Sequence, residues 1–166
     1  MTVEEFDAAE RLAVGAFGDP GQRVFVLQVE QGGRVLTVKV EKRQVAELAT
    51  HLTSAMADRP PVELGPSVAA RLTSEAEPAW VVGAMHLAYD GATERVSLVL
   101  EEFQSEEDDE PASARISVSV AQALALATEI ADLVAAGRPP CPHCGYPLDP
   151  TGHVCPKSNG HRPPKL

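Results

Sequence analysis

Cys141-Pro142-His143-Cys144-Gly145 is followed by Gly152-His153-Val154-Cys155-Pro156 and then by Asn159-Gly160-His161. This stretch holds all three cysteines of the 166-residue chain and three of its five histidines. A Cys-x-x-Cys pair places two thiolates on one tight turn, where both reach a single ion. The glycine after it lets backbone N–H groups approach the sulfurs. Cys155 adds a third thiolate, and zinc is the ion that such a set suits best. A closed tetrahedral site needs a fourth ligand. His153 lies two residues before Cys155, so on an extended segment both side chains face the same way. His161, after the turn of residues 157–160, is the alternative, and His153 is favoured. A two-knuckle ribbon would carry its fourth cysteine at position 158, which is Ser158 here. His143 sits inside the knuckle and is expected to point to solvent.

The chemistry expected of this group is structural. A tail with almost no apolar residues cannot fold from burial alone, and metal binding supplies the missing free energy. Three thiolates make a bound zinc a poor Lewis acid toward water. The Cys-x-x-Cys pair opens no helix of a thioredoxin-like unit, which weighs against redox use. No Gly-rich phosphate loop, Gly-x-Ser-x-Gly elbow or His-Glu-x-x-His occurs. No catalytic or cofactor-binding residue is therefore named. His51 and His86 read as ordinary surface or boundary histidines, and Trp80 as a core residue or one packed under a linker.

The net charge is -10 and the isoelectric point about 4.9. Such a surface repels phosphate backbones and argues against nucleic acid as partner of the main domain. The tail runs the other way, with Arg138, Lys157, Arg162 and Lys165 against Asp149 alone. The N-terminus is acidic and no long apolar run follows, so neither a secretory signal nor a membrane span is expected. A cytoplasmic protein follows, in which three cysteines do not serve as a disulfide framework.

The elements that must carry this tail alternate strand and helix. Strands are expected over Arg11 to Phe17, Arg23 to Glu30 and Arg34 to Glu41, with Gly32-Gly33 as a tight hairpin turn. A helix follows over Lys42 to Ala57, burying Val45, Leu48, Ala49, Leu52 and Met56. The same order returns in strands from Trp80 to Met85, Arg95 to Glu102 and Arg115 to Val120. A second helix over Ala121 to Ala136 is expected to bury Leu124, Ala127, Ile130, Leu133 and Val134. Val14-Gly15-Ala16 is echoed by Val82-Gly83-Ala84, and Leu48-Ala49-Thr50 by Leu126-Ala127-Thr128. The fold class is thus α+β, a duplicated β-β-β-α unit with antiparallel sheets and two packed helices, plus a small C-terminal zinc-knuckle tail. The copies are placed at about 8–58 and 78–137 within a domain of residues 1–137. The tail takes 138–166. Residues 105–111 form an acidic loop that repels itself, and Gly137-Arg138-Pro139-Pro140 ends the second helix.

The tail from Arg138 to Pro150 with Gly152-His153-Val154-Cys155-Pro156 and Asn159-Gly160 resembles the actinobacterial DUF3090 family of uncharacterised proteins. Gly21-Gln22-Arg23 and Gln31-Gly32-Gly33-Arg34 resemble it too. The resemblance implies no established enzymatic activity. It implies a protein-binding role, because a member is associated with a ParA-type chromosome-partition ATPase as a factor affecting its assembly. The function expected is that of a non-enzymatic cytoplasmic interaction or adaptor protein with a structural zinc site, regulating a ParA-type ATPase. Two alternatives stand beside it: an enzyme with a site in the cleft between the repeats, and a nucleic-acid or polymerase contact through the basic tail.

Overall fold

The computed structural model describes residues 2–19, 21–62, 72, 77–104, 110–137, 139–148 and 152–157. The chain is α+β, and its described residues form two helices and two sheets. Strand β1 is Val3–Phe6, β2 Arg11–Phe17, β3 Val24–Gln31 and β4 Arg34–Val40. Helix α1 is Lys42–Ala55. Strand β5 is Val82–Asp90, β6 Arg95–Glu102 and β7 Ser113–Ser119, and helix α2 is Val120–Ala135.

Strands β2, β3 and β4 form an antiparallel sheet in that order. Its β3–β4 hairpin closes at Gln31 and Arg34 around Gly32 and Gly33, whose φ angles of +58° and +76° are those a two-residue primed turn demands. Strands β5, β6 and β7 form a second antiparallel run, which β1 extends by pairing parallel to β7. The sheets meet at a short bridge. Lys39 N–H donates to the Trp80 carbonyl, and the Phe103 N–H to that of Val81. The segment entering β5 thus runs parallel to β4, as β1, entering β2, runs parallel to β7. Each entering segment pairs with the last strand of the other sheet.

Alternation sends Leu27, Val29, Leu36, Val38 and Val40 of the first sheet, and Val96, Leu98, Leu100, Ile116 and Val118 of the second, into one core. Both helices cover it. Val45, Leu48, Leu52 and Met56 of the first helical segment are buried, as expected, and Ala49 is half-buried. The face of α2 is rotated from the expected one. Ala123, Leu126, Ala127 and Ile130 are buried, whereas Leu124, Leu133 and Val134 pack only partly. This helix is apolar nearly all round, so its sequence stripe does not select a face. Small alanines win the side against its neighbours, where close approach of backbones is possible. Trp80 joins the same core.

Each helix begins with a capping box, Glu41 with Gln44 and Ser119 with Gln122. Gln44 also donates its side-chain amide to the Val82 carbonyl at 3.0 Å, and Gln122 to the Ala9 carbonyl at 2.9 Å. Both caps therefore tie a helix to the segment that enters the opposite sheet.

Two sequence expectations need correction. The echo of Val14-Gly15-Ala16 in Val82-Gly83-Ala84 is not structural. Val14 lies in the middle of β2 opposite Leu27, whereas Val82 opens β5 opposite Glu102, next to a register shift at Gly83. The strand expected over Trp80 to Met85 runs instead from Val82 to Asp90. The acidic run at 105–109 lies outside the described residues. Among the described residues no helix is long and apolar enough to cross a membrane.

Candidate metal centre

Beyond α2 the chain forms a small knob with its own packing. Cys141, Leu148 and Cys155 are buried together, with Cys144 against them, apart from the main core. Three backbone bonds set the knuckle. The Leu148 N–H donates to the Pro139 carbonyl, Cys141 to Tyr146, and Gly145 back to Cys141 at 2.8 Å. Pro140 and Pro147 face each other across this short ladder. Gly145 takes φ +77°, which lets the turn close directly after Cys144.

This local folding brings four donors together. The Sγ atoms of Cys141, Cys144 and Cys155 and a ring nitrogen of His153 all lie within 4.8 Å of one another. Cys141 and Cys155 sulfurs are 3.9 Å apart, and Cys144 Sγ is 3.7 Å from His153 Nε2. A tetrahedron with metal–sulfur bonds of about 2.3 Å has sulfur–sulfur edges of about 3.8 Å, and slightly shorter sulfur–nitrogen edges. Those two separations match neighbouring ligands around one ion, and the other donors lie close enough to join them. A disulfide needs sulfurs about 2.05 Å apart, and none of the three cysteines is in one. The group is a candidate metal site. His143 is exposed on the knuckle, in keeping with its expected direction. His161 lies outside the described residues.

The electrostatics of the sulfurs point the same way. Burial pushes the Cys141 thiol up, but the N–H groups of Cys144 and His143 and the side chains of His153 and Cys144 together outweigh it. The thiol lies at about 6 instead of the ordinary 9.0. Cys144 moves up instead. Burial raises it first, and the Cys155 and Cys141 sulfurs add to that against the helping N–H of Tyr146. Without a cation, one ionised sulfur opposes ionisation of the next; a divalent ion at the centre removes that repulsion.

The other histidines stand elsewhere. His51 and His86 border one hollow of about 190 Å³ between α1 and β5. His86 Nε2 is 3.6 Å from Glu101 in an exposed pair, a cross-strand neighbour that the sequence alone does not align. Among the described residues, no group of three or more potential metal donors other than the Cys/His cluster comes together.

Comparison with curated proteins and with solved structures finds no match to the chain. A family model described as "Protein of unknown function (DUF3090)" matches residues 4–155, a span that takes in both sheets, both helices and all four donors of the knob. The chain belongs to the DUF3090 family.

Proposed function

We propose that the chain is a non-enzymatic cytoplasmic adaptor: a duplicated α/β body over residues 1–137 that carries a structural zinc knuckle over 138–166. The observation that carries this reading is the closed donor set. Three sulfurs and one imidazole within 4.8 Å of one another fill a tetrahedral zinc and leave no open position for a substrate. Cys141, Cys144, Cys155 and His153 are the ligands. The family match ends at Cys155, so it includes His153 and stops short of His161.

Duplication is supported by the matched capping boxes and by the crossed pairing of the entering segments. In this alignment Leu48-Ala49-Thr50 and Leu126-Ala127-Thr128 fall at the same helical positions, each beginning four residues after the glutamine of its capping box. A protein partner is supported by the surface of the knob. Tyr146 is 61% and Val154 94% exposed, on the segments that carry the four donors. An aromatic and an aliphatic side chain fixed in water on so small a unit favour a partner contact. The partner we propose is a ParA-type ATPase.

Native mass spectrometry of the purified chain, before and after chelator, tests the zinc. One zinc per chain, lost with chelator, is the expected result, and a metal-free chain under gentle conditions overturns the reading. The partner is tested by titrating a purified ParA-type ATPase against the parent chain and Val154→Asp. Binding that falls in the variant while zinc stays bound supports the adaptor reading. Absence of binding by the parent removes this ATPase as the partner.

A further inference from the structure

The described cations divide sharply. Arg11, Arg34, Arg43, Arg59 and Arg115 each face a carboxylate, and Arg95 is bonded to the hydroxyl and carbonyl of Ser117. Arg23, Lys39 and Lys42 of the body, and the exposed Lys157 of the knob, have no side-chain partner among the described residues. The three of the body border one cavity of about 300 Å³ at the end of β3 and β4, where α1 begins and α2 ends. Arg23 and Lys39 are half-buried there. A partly buried cation without a counter-charge has lost hydration and gained nothing in return, and like charges around one hollow repel one another.

This arrangement is not forced by composition. The chain has 24 acidic side chains against 14 cations, so neutralising carboxylates abound. The wall holds one, Glu41, so three cations face a single carboxylate there. Nor is it a by-product of the fold. At the corresponding corner of the other sheet, Ser117 stands where Lys39 does, Val120 where Lys42 does, and the local cation, Arg95, is hydrogen-bonded. Gly137 adds a further feature. A Cβ built there would lie 3.1 Å from Lys42 Nζ, so Gly137 sits directly beside the lysine's end on the wall.

We propose that this cavity binds a small phosphate-type oxyanion, free or carried on a small molecule. Arg23 supplies planar paired donors and the two lysines supply point charges. The pocket is separate from the cysteine cluster and holds independently of the zinc reading.

The test is an amide and arginine side-chain NMR titration of the full chain at constant ionic strength. Inorganic phosphate and glycerol 3-phosphate are added in separate series, with chloride as control. Saturable shifts at Gly21, Lys42, Gly137 and the Arg23 side chain are expected. Arg23→Gln and Lys39→Gln should each weaken binding about tenfold, the loss typical of one charge-assisted contact. Arg43→Gln, which alters a cation away from the cavity, should leave it unchanged. Tighter binding of glycerol 3-phosphate assigns a carried phosphate, and weaker binding the free anion. Spectra of the variants report directly that they are folded. Shifts that never saturate with either anion, or affinity in folded Arg23→Gln and Lys39→Gln unchanged from that of the parent chain, overturn the proposal.

Discussion

Removing one sulfur from the knob leaves three donors, too few to close a structural tetrahedral site. Cys144→Ser is therefore expected to take zinc from one per chain to none in native mass spectrometry. The amides of residues 139–157 should lose dispersion while those of the body keep theirs. His153→Ala should weaken zinc by more than the roughly 10–100-fold typical of losing an outer-shell partner; His161→Ala should leave it unchanged. A reversed order in a competition assay with a chromophoric chelator would make His161 the fourth ligand. That Cys141, Cys144, His153 and Cys155 come together was legible in the sequence because they are local: a knuckle followed by a His-x-Cys pair needs only a turn, although the sequence left the fourth ligand open between His153 and His161. The unpaired cations Arg23, Lys39 and Lys42 were not, because a loop, a strand end and a helix start meet only once the sheet is formed.

At the scale of elements, the two glutamines of the capping boxes do more than start helices. Gln44 and Gln122 each satisfy a carbonyl of the segment entering the opposite sheet. Gln122→Ala loses a cap and a partly buried tertiary bond and should cost about 1–2 kcal/mol. Gln44→Ala should cost a similar amount. Denaturant midpoints should fall with unchanged slope; a fall for only one variant would break the equivalence of the two units. Gly83 marks a different constraint. A Cβ there would lie 2.8 Å from Phe103 Cα, a backbone atom that cannot swing aside. Gly83→Ala should destabilise by about 1–3 kcal/mol through strain at the β5 register shift, read as a lowered unfolding midpoint. Alternation made β2, β3, β4, β6 and β7 legible within a residue or two, and both helices likewise. Strand β1 was not legible. Val3-Glu4-Glu5-Phe6 buries only Phe6, and its place is set by parallel pairing with β7, far along the chain. The false Val-Gly-Ala echo has the same origin: strand register is decided by partners across the sheet, not by local likeness.

At the scale of the whole molecule, the decisive fact is that the described residues form two apolar clusters. The larger joins both sheets and both helices; the smaller is made of Cys141, Leu148 and Cys155 with Cys144 against them. Burial of so few side chains contributes little to holding the smaller one, so under the proposed zinc site its order is expected to depend on the ion. The larger has its own interior, with Phe6, Leu27, Ile116 and Ile130 at most 1% exposed. Chelation should accordingly separate the two. Zinc leaves, the knob loses its amide protection, and the cooperative melting of the body stays within about 2 °C of its original midpoint. A contribution of about 1 kcal/mol from the knob to the body would move a domain of this size by roughly 3–5 °C. A shift that large in calorimetry would make the knob part of the body's cooperative unit. Acidification should act as chelation does, and in one direction. In the proposed site zinc is held by thiolates, so protons should compete for the sulfurs as pH falls and release the metal, and raising the pH again should restore it. The body, whose core holds no thiol, should keep its fold through that release, and far-ultraviolet circular dichroism followed alongside zinc content would show the two events apart.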